Sequence, residues 1–208
     1  WSVLSIFINR VVISFGVTPL AVFGVLNRSS SFARMPSQGV SQGLLPLVGY
    51  NFGAQKMKRV GEILIKSYKA TLVWGVVCAI VIVSFPTQIL SIFNSEPDFL
   101  EQGRIAVMLF SVAYIVMGIQ YNSSSFFQGI GKGMASLITG LAREFIFILP
   151  IIYIFTRIWG QNGIWLTFPV ADTLAVIFAI VWIVIQSRRL GIHFQLRYPS
   201  EATATDFD

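Results

Sequence analysis

Four long apolar runs constrain this chain more than any other feature. They extend over residues 70–85, 105–127, 137–155 and 164–185. A bilayer core of about 30 Å, crossed by helices of about 20 predominantly apolar residues, is the solvent they fit. The breaks between them are short and rich in turn formers: Pro86 followed by Asn94, Ser95, Glu96, Pro97 and Asp98, then Gly129 to Gly133, then Arg157 to Gly163. Neighbouring spans should therefore pack antiparallel. Of the 208 residues, 55% are hydrophobic and 12% are charged, about half the charged share of a soluble domain. That excludes a disordered chain and a soluble domain built on one core.

The first third is less regular. Residues 1–26 are apolar apart from Arg10, whereas Asn27 to Gly53 holds Arg28, Arg34, several serines, Pro36, Pro46 and Gly39, Gly43, Gly49 and Gly53. Hydropathy alone makes this stretch a loop. We expect instead a helix from Leu20 to about Tyr50, started at Pro19, because polar residues are tolerated at membrane depth where they face a water-filled cavity. Residues 1–15 then form the end of a truncated helix, and the fold class is an all-α polytopic membrane protein with six spans.

Lysines and arginines in short loops collect on the cytoplasmic side. Lys56, Lys58, Arg59, Lys66 and Lys69 precede the third span, Lys132 separates the fourth and fifth, and Arg188, Arg189 and Arg197 follow the sixth. All fall on one face. The opposite face holds Arg104 and Arg157 beside Glu96, Asp98 and Glu101. The Lys56 side, with the C-terminus, is thus expected in the cytoplasm. The net charge of +6 then belongs to topology and not to nucleic acid. We expect residues 1–190 to be the membrane unit and residues 191–208 to be a polar, disordered cytoplasmic tail.

Chemistry is thin. Cys78 is the only cysteine and sits in an apolar run, and His193, the only histidine, lies in the tail. No span carries a histidine or a paired-carboxylate motif. No metal site, no cofactor and no enzyme activity are expected.

The candidates for function are polar groups at membrane depth. The run Met35 to Ala54 (MPSQGVSQGLLPLVGYNFGA) combines two small-xxx-small pairs, Gly39 with Gly43 and Gly49 with Gly53, with prolines that free backbone carbonyls. Gln38 and Gln42 share one helical face. They either line a substrate cavity or belong to a kinked packing helix. Gln120 to Ser125 suits a wet cavity wall, the alternative being hydroxyls bonded back to carbonyls one turn earlier. Arg143 lies about 10 Å below one surface and Asp172 about 14 Å below the other, an offset of about 6 Å that an arginine stem can span. The two are either a structural ion pair or a protonatable, substrate-facing site. Glu144 follows Arg143 and should point about 100° away on an α-helix, so no simple pairing between these neighbours is expected. Arg28 and Arg34 carry the same alternatives.

The run Met35 to Ala54, with Asn27-Arg28 before it and the basic Lys56 to Arg59 after it, resembles the multidrug and toxic compound extrusion (MATE) transporters, in particular the bacterial MepA-like branch. Phe126 to Lys132 (FFQGIGK), Arg143, Pro150 and Gly163 to Asp172 (GIWLTFPVAD) extend the resemblance, which covers Ile6 to Arg189. It implies one six-helix lobe, the C-terminal one, of a twelve-helix transporter in the bacterial inner membrane. It further implies that the second span lines a central cavity, so that Arg28, Gln38, Gln42, Gln120 and Asn122 are candidates to face substrate. The implied activity is cation-coupled (H+ or Na+) antiport that exports drug-like or cationic small molecules by alternating access. The implied partners are small-molecule substrate, the lipid bilayer and an N-terminal lobe outside this sequence. The resemblance puts the principal coupling acid in that other lobe. A second cation-binding acid found in some branches after the turn Gln128 to Gly133 corresponds here to Gly133. The coupling candidates within the chain are therefore Arg143, Glu144 and Asp172. The rival readings are a lipid-linked saccharide flippase of the same superfamily, with Arg28, Arg34 and Arg143 as its cations, and a non-transporting membrane packing subunit.

Overall fold

The structure, a computed structural model, describes residues 2–192. His193, Arg197 and the rest of the expected tail from residue 193 on lie outside the described residues. Among those described, the chain is helical throughout: α1 (Ser2–Ile13), α2 (Val17–Gly53), α3 (Met57–Ser84), the short α4 (Pro86–Ser91), α5 (Pro97–Gly129), α6 (Gly133–Leu141), a π-helical segment (Ala142–Ile148), α7 (Leu149–Trp159) and α8 (Gln161–Leu190). The segments from α6 through α7 form one continuous rod. Four rods are long and apolar enough to cross a membrane: Met57–Ser84, Pro97–Gly129, Gly133–Trp159 and Gln161–Leu190. The stretch that hydropathy alone made a loop lies within a single helix of 37 residues, about 55 Å at 1.5 Å per residue.

Local sequence explains the ends. Pro97 occupies the first turn of α5 and Asp98 lies beside it, which suits a helix start whose N–H groups lack partners and whose dipole favours a carboxylate. Gly131, with φ +76°, turns the chain between α5 and α6, and Gly160, with φ +56°, does so between α7 and α8. Gly191 closes α8 in the left-handed conformation, with Arg188 and Arg189 in the last turn.

The helix α5 is the hub, packed against α2, α3, α4, α6 and α8. Its close approach to α3 depends on two glycines. A Cβ on Gly118 would collide with the Thr71 side chain, and one on Gly75 with the Tyr114 carbonyl. Gly39, Gly43 and Gly53 meet nothing within 4 Å, and of the two predicted pairs only Gly49 reaches a neighbour, the Gly129 carbonyl, 3.5 Å from its Cβ position. The other three lie along an exposed side of α2 that no described element covers.

The apolar interior is divided in depth. One cluster gathers Val22, Phe23, Leu26, Phe99, Phe110, Ile152, Trp165 and Phe168. A second gathers Leu44, Val48, Leu64, Phe126, Phe127 and Ile183. Between these clusters each membrane-length rod carries at least one buried polar residue: Ser37 and Ser41 on α2, Thr71 on α3, Asn122 and Ser123 on α5, Thr139 on the α6–α7 rod and Asp172 on α8. A polar belt therefore crosses the middle of the bundle, and the functional candidates fall within it.

Candidate substrate and coupling site

At the level of the belt a cleft of about 420 Å³ opens between three elements: α2 gives Arg34 and Gln38, α5 gives Gln120, Tyr121 and Ser124, and the α6 rod gives Gly140, Arg143 and Glu144. Gln120 donates from Nε2 to the Thr139 carbonyl at 3.1 Å, and its Oε1 has no hydrogen-bond partner. Arg34 donates to the Ser31 hydroxyl at 2.8 Å.

Behind the cleft stands a bridged trio. The Nε of Arg143 donates to Asp172 Oδ1 at 2.6 Å, and its Nη1 donates to Glu144 Oε1 at 2.8 Å. The expected offset between the arginine and Asp172 is thus spanned by the side chain. The contact with Glu144 corrects the expectation that these neighbours do not pair. Ala142–Ile148 is π-helical, and its wider turn rotates successive residues through a smaller angle than the 100° of an α-helix. Adjacent side chains still diverge there, and the long arginine stem reaches across to the neighbouring carboxylate. Asp172 is only 3% exposed, whereas Glu144 borders the cleft. One oxygen of each carboxylate, Asp172 Oδ2 and Glu144 Oε2, makes no hydrogen bond.

Of the predicted cavity residues, Gln38 and Gln120 border the cleft and Arg28, Gln42 and Asn122 do not. Arg28 and Gln42 lie on the exposed side of α2 with Phe32, Met35 and Tyr50. Asn122 is fully buried. Its Oδ1 accepts from Ser41 at 2.9 Å and its Nδ2 donates to Thr71 at 3.0 Å, so its amide fastens α2, α5 and α3 together. Ser123 pairs with Tyr68 at 2.8 Å. The run Gln120 to Ser125 is unbroken helix, and its two faces do different work: Gln120, Tyr121 and Ser124 turn to the cleft, Asn122 and Ser123 to the packing. The cleft residues Tyr121 and Ser124 belong to the run that the sequence offered as a cavity wall, though neither was named by itself. Their spacing with Met117 and Gln120 at three and four residues, one helical face, is the signal that marks them.

The family model for MatE matches residues 1–154. The chain belongs to the MatE family. Multidrug export protein MepA of Staphylococcus aureus (strain MSSA476) is 24% identical over 187 residues, which are 89% of this chain and 41% of that protein. The FAD transporter of Shewanella oneidensis is 26% identical over 155 residues, 74% of this chain and 34% of that one. Among solved structures, an outward-facing multidrug-resistance MATE transporter matches with a TM-score of 0.86 at 22% identity, covering 91% of this chain and 43% of that one. An inward-facing one matches with 0.86 at 22%, covering 91% and 44%. The chain thus spans about two-fifths of the length of the relatives it matches, corresponding to the C-terminal lobe of the MATE fold. In that lobe the cleft and the bridged trio lie inside a multi-pass membrane bundle of a transporter family.

Proposed function

We propose that this MATE lobe supplies half of an efflux pathway for drug-like, neutral or cationic small molecules, with export driven by an H+ or Na+ gradient through alternating access at the cell membrane. The observation that carries this reading is the cleft itself: a polar site at mid-depth, bordered by a carboxylate with an unpartnered oxygen. Ionisable groups at such depth are expensive and mark substrate or ion pathways. The charges around the site balance, Arg34 and Arg143 against Glu144 and Asp172. That favours neutral or cationic cargo over the pyrophosphate of a lipid-linked saccharide, which needs several uncommitted cations. Glu144 is the proposed coupling carboxylate of this lobe, because it can take up a proton, a sodium ion or a cationic substrate in exchange for Arg143. Asp172 keeps the guanidinium in place meanwhile. The equal likeness to outward-facing and inward-facing structures supports a lobe that rocks as a rigid body. The exposed side of α2, with Arg28, Gln42 and its row of glycines, is the wall offered to the N-terminal lobe.

The test is dye efflux from proteoliposomes holding the full-length transporter under an imposed proton or sodium gradient. Glu144→Gln should insert like the parent and lose no more than about 1–2 kcal/mol of stability, near that of a hydrogen bond to a charged group, while gradient-driven efflux falls at least tenfold. The 208-residue chain reconstituted alone should move no dye. Normal coupling in Glu144→Gln removes Glu144 from the mechanism, and efflux by the chain alone removes the need for a second lobe.

A further inference from the structure

A second, wide cleft lies away from the polar belt, where α2 ends and α3 begins. It has a volume of about 1230 Å³, beyond the roughly 300–1,000 Å³ typical of small-molecule pockets. Four cations border it, Lys56, Lys58, Arg59 and Lys66, against one acid, Glu62. Among the described residues none of these five forms an ion pair, since the salt bridges found involve Arg143 alone. A net excess of three positive charges therefore converges on open space. We propose that this cleft binds the headgroup of an anionic phospholipid.

Depth supports the assignment. The helix α3 has 28 residues, about 42 Å, against a hydrocarbon thickness of about 30 Å. About 12 Å, some eight residues, must stand outside the hydrocarbon. The apolar end of α3 runs without a charge from Ala70 to Ser84, so the excess falls at Met57 to about Ile65, the phosphate level. Lys66 then lies at the boundary, placed to extend its ammonium up to the headgroups.

The same face of α3 continues the lipid's shape. Arg59, Glu62 and Lys66 are followed at helical spacing by Val73, Val77 and Ile80, which are 64%, 44% and 59% exposed. A headgroup seated among the cations would lay its acyl chains along this apolar stripe. Tyr50, 74% exposed at the rim of the cleft, is a residue type that settles at the headgroup level. The positive-inside rule accounts for basic loops in general, but Lys132, Arg188 and Arg189, also assigned to this face, do not border this cleft. That difference makes a charge-matched control possible.

The test is native mass spectrometry of the 208-residue chain in detergent micelles with phosphatidylglycerol, phosphatidylcholine or inorganic phosphate. The expected result is retention of one phosphatidylglycerol in preference to phosphatidylcholine. The triple substitution K58Q/R59Q/K66Q should weaken that retention on the order of 100-fold, about fivefold per charge removed. The substitution K132Q/R188Q/R189Q, which removes the same charge, should leave it within about twofold. Equal losses in the two triples would mean diffuse attraction and overturn the site. Equal retention of the two lipids would overturn the preference for anionic headgroups. Inorganic phosphate bound as tightly as the lipid would make this a free-anion site and overturn the lipid assignment. Lys66→Gln alone, with an expected loss of about fivefold, carries the test should the first triple fail to fold.

Discussion

Arg143 and Asp172 meet 2.6 Å apart between the π-helical segment and α8, and the same guanidinium also holds Glu144, its neighbour in that segment. The three groups do not contribute alike. Arg143→Leu strands two carboxylates at depth, and breaking a buried pair from one side costs about 3–5 kcal/mol. Asp172→Asn keeps an acceptor near Arg143 Nε and leaves Glu144 in place, so its cost should be about 1–2 kcal/mol, near that of a hydrogen bond to a charged group. The asymmetry differs from what a simple two-residue pair implies. Denaturation of the two single variants and the double variant in micelles measures it. The double variant should be more stable than Arg143→Leu alone. Equal losses in the two single variants would mean that Glu144 contributes nothing.

Much of this architecture was legible in the sequence because lipid imposes a simple demand, a long run of side chains that need no water. The breaks at Pro86, Gly129 to Gly133 and Gly160 were readable for the same reason: turns require residues that tolerate them. The helix α2 was not readable from hydropathy, since one of its sides is polar and glycine-rich, and it emerged only from its motif and the cavity argument. Asn122 was read as a cavity residue because one sequence does not reveal that Ser41 and Thr71, far from it along the chain, arrive at its amide. The meeting of Arg143 with Glu144 comes from the arginine stem reaching its immediate neighbour within a π-helical segment, which a periodicity of 3.6 does not anticipate.

Asn122 should matter to folding and not to cargo. Asn122→Ala removes its bonds to Ser41 and Thr71. Interhelical hydrogen bonds in membranes contribute about 0.6–1.7 kcal/mol each, so a loss of roughly 1–3 kcal/mol is expected. Thermal unfolding in micelles reads that loss, and fluorescent-dye binding to the full-length transporter should not change. Unchanged stability with weakened dye binding would return Asn122 to the cavity wall.

The glycines should separate into two classes. Gly118→Ala forces a Cβ against the Thr71 side chain where α5 crosses α3, and overpacking of this kind typically costs about 1–3 kcal/mol. Gly39→Ala meets open space and should stabilise the isolated chain by up to about 1 kcal/mol through helix propensity. Unfolding midpoints of the two variants in the 208-residue chain make the comparison. A destabilising Gly39→Ala would mean that a neighbour covers this side of α2 within the lobe.

Orientation is the last test. We propose that the face carrying Lys56, Lys58, Arg59, Lys132, Arg188 and Arg189 is cytoplasmic, since lysines and arginines close to the ends of spans are retained on that side. The acidic group Glu96, Asp98 and Glu101 follows α4, at the far end of α3 from Lys58, so the two positions report opposite sides. Cys78 is partly accessible and must first be replaced, by Cys78→Ala. In that background Lys58→Cys should react with a membrane-impermeant maleimide only after the cells are permeabilised, and Glu101→Cys should react in intact cells. Labelling of Lys58→Cys from outside intact cells, with protection of Glu101→Cys, would invert the topology and place the open end of the α2–α3 cleft on the outer leaflet.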